Sequence, residues 1–95
     1  MDIGEVRIAL EAERARFLRE VCWADLFGVS YYHVTQQELD AIARGQRRFP
    51  EERTRQLIRF YTRYSDARAA WNRDRSCPEP WRRYFGLAAS MGSRA

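Results

Sequence analysis

Pro50, Pro78 and Pro80 are the only prolines in this 95-residue chain, and their placement divides it before anything else is read. A proline ring fixes φ and removes an amide donor, so regular elements run between prolines or begin on them. The first 49 residues carry none. Within them Ile3, Val6, Leu10, Phe17 and Val21 recur at helical spacings, which predicts a long N-terminal helix. Glu5, Glu11, Glu13, Arg14, Arg16 and Arg19 are expected on its wet side. The front of this helix is expected either to pack on the body or to pair with a second copy of itself.

Gly28 interrupts the apolar run Trp23–Phe27, and Val29–Val34 is aromatic and β-branched, so a break or tight corner is expected there. Thr35-Gln36-Gln37-Glu38 then has the S/T-x-x-E/Q form of a capping box, which predicts a short helix near 36–44 that begins at Gln36. Gly45 suits the left-handed position that ends it. Pro50-Glu51-Glu52 is a second start signal, with Pro at the first helical position and two acids at the positive end of the dipole. Leu57, Ile58, Tyr61, Tyr64, Ala67 and Trp71 keep a helical period, giving a long helix near 51–73. Ser76–Pro80 reads as a loop, Trp81–Leu87 as one more short helix, and Ser90–Ala95 as frayed.

Nothing reads as a β-ladder, so the expected fold is all-α, a small helical bundle of about five helices. Residues 1–75 form the expected helical domain. Residues 76–95 form a Pro-containing loop and an aromatic, basic tail, Pro80-Trp81-Arg82-Arg83-Tyr84-Phe85, expected to fold back over the long helix or to dock on a partner. Trp23, Phe27, Phe60, Tyr61, Tyr64 and Trp71 are expected in the core rather than as a base-stacking platform.

No apolar run approaches the roughly 18 residues that span a bilayer, and the N-terminus lacks the basic-then-apolar order of a signal peptide. A soluble, cytoplasmic protein without membrane partners is expected. Cys22 and Cys77 have neither CxxC spacing nor disulfide-scaffold density, and the single histidine, His33, has no carboxylate cluster beside it, so no metal or other cofactor is expected. Walker, GxGxxG, HExxH and GxSxG signatures are missing, which argues against an enzyme.

The formal charge of +4 hides an asymmetry. Residues 1–40 hold eight acids and four arginines, whereas 41–95 hold five acids and thirteen arginines, and there is no lysine. One surface is thus suited to a polyanion. The same arginines would also serve as plain solvated charge, as expected for the Arg55, Arg59 and Arg63 stripe.

Val34, Thr35, Gln36, Leu39, Ile42, Gly45 and Pro50 follow the pattern V-S/T-Q-x-x-L/I-x-x-I/L-x-x-G-x-x-x-x-P. This block, His33–Pro50, resembles the recognition-helix segment of the Cro/C1-type helix-turn-helix family, the lambdoid phage repressors and their XRE relatives. The resemblance implies a lambda-repressor-like helix-turn-helix core and a sequence-specific regulator of transcription. It further implies a homodimer on double-stranded DNA, with half-sites about one turn apart. Thr35 would offer a hydroxyl and free amides to a phosphate, and Gln36 and Gln37 carry the donor and acceptor pair that adenine presents in the major groove. Asp40, Ala41 and Arg44 complete the outward face, and Arg47, Arg48 and Arg53 are implied to touch phosphates. No small-molecule effector is evident.

The positioning helix departs from the family pattern, because Gly28 stands where a buried apolar residue belongs and His33 occupies the turn. A rival register uses Gly28-Val29-Ser30 as the turn but puts Gln37 at an apolar place. The alternative function is a small helical protein-binding module, such as a phage-encoded inhibitor or an antitoxin-like adaptor, whose basic half engages an acidic protein surface.

Overall fold

The computed structural model describes residues 1–91 and is all-α, a small bundle with no strand among the described residues. Helix α1 spans Ile3–Glu20, a single 3-10 turn Trp23–Asp25 leads into α2, Leu26–Ala43, and α3, Pro50–Asp74, and α4, Glu79–Met91, complete it. The predicted fraying of Ser90–Ala95 concerns mostly residues outside the described ones; Ser90 itself is still within α4.

The ends of the helices follow local chemistry. A capping box does exist, but at Asp2, whose Oδ1 accepts from the Glu5 amide at 2.8 Å while the Asp2 amide donates to Glu5 Oε1 at 3.2 Å. α1 closes on Val21, held left-handed at φ 51° with its amide bonded to the Phe17 carbonyl at 2.8 Å. Gly45 ends α2 at φ 71°, as its position after Arg44 predicts, and Pro50 opens α3 at its first turn.

The expected corner between Gly28 and Val34 is not there. α2 runs unbroken for 18 residues through Gly28, Val29–Val34 and Thr35. Weak local propensity is overridden by packing, because α2 returns antiparallel along α1, with Glu13 against Gly28, Arg14 over the Tyr32 ring at 5.4 Å and Arg7 bonded to Gln36. Gly28 serves that close approach: a Cβ there would lie 2.6 Å from Glu13 Oε2. No helix begins at Gln36, and Thr35 sits more than two turns inside α2, where the residue before it is already helical and cannot form a cap.

The core joins Val6 and Leu10 of α1, Tyr61, Tyr64 and Ala67 of α3, Cys77 of the loop after it and Phe85 of α4. Phe27 is its aromatic hub, 4.7 Å from Tyr64 and edge-on to Trp81 at 5.2 Å, whereas Phe60 leans outward. The C-terminal segment is part of this body. Pro80 is tolerated in the first turn of α4, where the amide it lacks would have had no helical partner, so that helix is longer than the stretch Trp81–Leu87. Tyr84 Oη accepts from the Phe27 amide at 2.9 Å and reaches the Trp23 and Ala24 carbonyls, tying α4 to the turn before α2.

Candidate functional site

The residues expected to read DNA do not share one face. Thr35 and Ala41 are buried against the body, so neither meets a phosphate or a thymine methyl. Gln36 is half-buried and accepts from Arg7 Nε at 3.2 Å. Gln37, Asp40 and Arg44 do lie on the wet side of α2, exposed at i, i+3 and i+7. Arg47 is committed to Glu38 through two bonds of 2.8 and 3.0 Å, and Arg53 stands 3.7 Å from the same carboxylate. Those arginines draw the Glu38 carboxyl below its usual range. Arg48 is exposed and lies over the Phe49 ring at 5.8 Å.

Beside this stripe, α2 and α3 diverge and leave a groove of about 240 Å³. Tyr31, Val34, Leu57 and Phe60 form its apolar walls, and Glu38, Arg53 and Gln56 also line it. Val34 is 51% exposed, Phe60 43% and the nearby loop residue Phe49 66%. Two acids of this end are engaged, Glu38 by Arg47 and Arg53 and Glu52 by Arg55, while Asp40 and Glu51 stand exposed. Arg44, Arg48, Arg59 and Arg63, on α2, α3 and the loop that joins them, are exposed and make no ion pair among the described residues, which leaves the surroundings of the groove net basic.

The opposite region holds a cluster that inspection of the sequence missed. Glu13 and Arg16 come from α1, Asp25 from the 3-10 turn, Tyr64 and Arg68 from α3. Tyr64 Oη donates to Glu13 Oε1 at 2.6 Å, and Arg68 Nη1 reaches Glu13 Oε1 at 2.8 Å and Asp25 Oδ1 at 2.5 Å. Arg16 grips Asp25 with both Nε, at 2.6 Å from Oδ2, and Nη2 on Oδ1. Burial would raise the Asp25 carboxyl, but Arg16 and Arg68 outweigh it and hold the group below its usual range. Glu13 goes the other way: burial pushes it up, beyond what Tyr64 and Arg68 recover, and its Oε2 is buried without a partner. Burial next to Glu13 also raises the Tyr64 hydroxyl far above its ordinary value.

Against this cluster opens a cleft of about 370 Å³, walled by Trp23, Trp71, Asn72 and Phe85, with Arg68 on one side and Ala89 at the margin. Two kinds of surface are therefore present: a basic, half-apolar groove on α2 and α3, and an aromatic cleft holding one internally tethered arginine. Among the described residues no group of three or more His, Cys, Asp and Glu is placed to hold a metal ion, and no helix is long and apolar enough to cross a membrane. A model of a family of unknown function, DUF5995, matches residues 3–95, and no curated protein or solved structure matches the chain.

Proposed function

The chain belongs to DUF5995, a family of unknown function, and we propose that it is a small helical binding module that takes an acidic, amphipathic protein segment on the groove between α2 and α3. The observation that carries this reading is the pairing of exposed Val34 and Phe60 in the groove with exposed Arg44, Arg48, Arg59 and Arg63 on the same helices and the loop between them, which outnumber the exposed acids Asp40 and Glu51. Apolar anchors in a groove supply affinity, and the surrounding charge supplies orientation and on-rate. An uninterrupted α2 lacks the turn on which helix-turn-helix docking depends, so the resemblance of His33–Pro50 to that family supports a local helix pattern more than a recognition geometry.

The test is a titration with a Glu/Leu amphipathic peptide, a scrambled peptide of equal charge, and duplex DNA of mixed sequence, each at two salt concentrations. Preference for the amphipathic peptide, weakened at least about tenfold in Phe60→Ala and Val34→Ser, is the expected result. Equal binding of the scrambled peptide would leave only charge attraction and overturn the proposal. Duplex binding that survives salt and responds to Gln37→Ala but not to Phe60→Ala would reinstate the DNA reading instead. Sedimentation of the chain alone, in the same buffers, tells peptide capture from a homodimer that covers the groove.

A further inference from the structure

The cluster around Arg68 uses its guanidinium unevenly. Every hydrogen bond Arg68 makes among the described residues runs through Nη1, to Glu13, Asp25 and Tyr64. Among the described residues the buried side-chain atoms without a partner are Glu13 Oε2 and Thr35 Oγ1, so Arg68 Nε and Nη2, which make no hydrogen bond among those residues, are not sealed inside. The side chain is 18% exposed, and the space it borders is the 370 Å³ cleft. Nε–H and the neighbouring Nη2–H form the side-on fork of a guanidinium, two parallel donors at the spacing of carboxylate oxygens. The cleft that Arg68 lines is also walled by Trp23, Trp71 and Phe85, the last two stacked with centroids 6.0 Å apart, and by Asn72.

We propose that this cleft is a binding site for a small aromatic carboxylate, its carboxylate on the Nε/Nη2 fork of Arg68 and its ring against Trp23 and the stacked Trp71–Phe85 pair. A concave aromatic space with one oriented ionic anchor is the usual composition of a small-ligand site, and this volume lies at the lower end of such sites. An uncharged ring would find the walls but leave the fork unsatisfied. An aliphatic dicarboxylate would set its second charge against the rings. The anchor needs no rearrangement, since Nη1 is already tethered from three elements and the plane of the guanidinium is fixed before a ligand arrives.

The experiment is calorimetric titration with benzoate and 2-naphthoate, each beside its uncharged amide, with iodoacetamide labelling of Cys22, which also lines the cleft, as an independent readout. The acids are expected to bind at least about tenfold more tightly than their amides, the factor for one charge-assisted contact, and to slow labelling at Cys22 but not reveal Cys77, which is buried. Ala89→Trp, at an exposed position away from the cluster, is expected to block the cleft and abolish binding. Arg68→Lys keeps a cation for Glu13 and Asp25 but removes the fork, and is expected to lose about tenfold. Should Arg68→Lys fail to fold by circular dichroism, Ala89→Trp decides alone. Equal affinity for acid and amide, parent-like binding by Ala89→Trp, or neither heat nor Cys22 protection at millimolar acid would each overturn the proposal.

Discussion

Replacing Gly28 by alanine separates the packing account given above from simple helix propensity, because the two predict opposite signs. In the interior of a helix, alanine is favoured over glycine by about 1 kcal/mol. At Gly28, however, the new Cβ would lie 2.6 Å from Glu13 Oε2 and 3.0 Å from both Glu13 Cβ and Cδ. The carboxylate would have to retreat by more than half an ångström, and since Glu13 Cβ cannot rotate away, α1 must back off with it. The bonds from Tyr64 at 2.6 Å and Arg68 at 2.8 Å would then stretch or break. Charged hydrogen bonds of this kind contribute roughly 1.5–3 kcal/mol each, so a net loss of about 2–4 kcal/mol remains after the propensity gain. For a chain of this size that lowers Tm by roughly 10 °C or more. Gly86, inside α4, is the control: its Cβ would meet only Trp71 at 3.8 Å, and Gly86→Ala should gain about 0.5–1 kcal/mol. Urea unfolding followed by tryptophan fluorescence reads both. A Gly28→Ala protein as stable as the parent, with unchanged denaturant slope, would refute the claim that α1 and α2 meet here through missing Cβ volume.

The other substitutions probe neighbouring points. Thr35→Val removes a buried hydroxyl that has no partner and should raise stability by about 1 kcal/mol, whereas an N-cap role would make the same change lose a similar amount; thermal melting gives the sign. Tyr64→Phe deletes the donor to Glu13, should cost about 1.5–3 kcal/mol, and should push the Glu13 carboxyl further up, which carboxyl-labelled NMR titration reads. Glu13→Gln is a test by pH. The Glu13 pKa in the folded chain is raised above its ordinary 4.5, so its protonated form contributes stability below about that pH, and that contribution is lost as pH rises through the folded value. Glutamine has no such loss, and the stability of parent relative to Glu13→Gln should fall as pH rises across that window. Asp25, whose folded pKa is lowered, acts with the opposite sign, giving stability above its ordinary 3.8 that is lost as pH falls through the folded value, but it is present in both proteins and cancels. A difference that is flat with pH would show that Glu13 is not perturbed.

Much of the helical content was legible because it is written in local signals. Pro50 and Gly45 mark a helix start and stop through backbone chemistry that tertiary packing does not alter, and Leu57, Tyr61, Tyr64 and Ala67 show their buried stripe in spacing alone. Gly28 and Thr35 were misread for one shared reason. A glycine serves equally a break and a close approach, and T-x-x-E occurs equally at a cap and inside a helix; the choice is made by α1, distant in sequence. The charged cluster did leave a trace. Glu13 falls on the stripe Val6, Leu10, Glu13, Phe17, Arg68 on Tyr61, Tyr64, Arg68, Trp71, and Asp25 inside Trp23–Phe27. A charged residue at an apolar position of a helix stripe signals a buried partner of opposite sign, and two such stripes in one chain point to each other. Which atoms of Arg68 remain free has no counterpart in sequence, because it depends on the rotation of one guanidinium.

That rotation links stability to the cleft. Burying two carboxylates with Arg68, while Arg16 stays 40% exposed, is a poor way to stabilise a core, since well-packed apolar replacements of such a set are commonly neutral or better. Here the shared acceptor positions do something an apolar core would not. Nη1 is drawn at once toward α1, the 3-10 turn and α3, so Arg68 has given up its rotamer freedom, up to about 2 kcal/mol for a long side chain, during folding and not on binding. The orphaned Glu13 Oε2 shows the same priority, because Oε1 alone carries the bonds from Tyr64 and Arg68 while Oε2 is spent against Gly28. The cluster is thus better understood as a fixture that aims one guanidinium edge than as a source of folding energy, and its imperfect satisfaction is the physical consequence of fixing that aim from three elements at once.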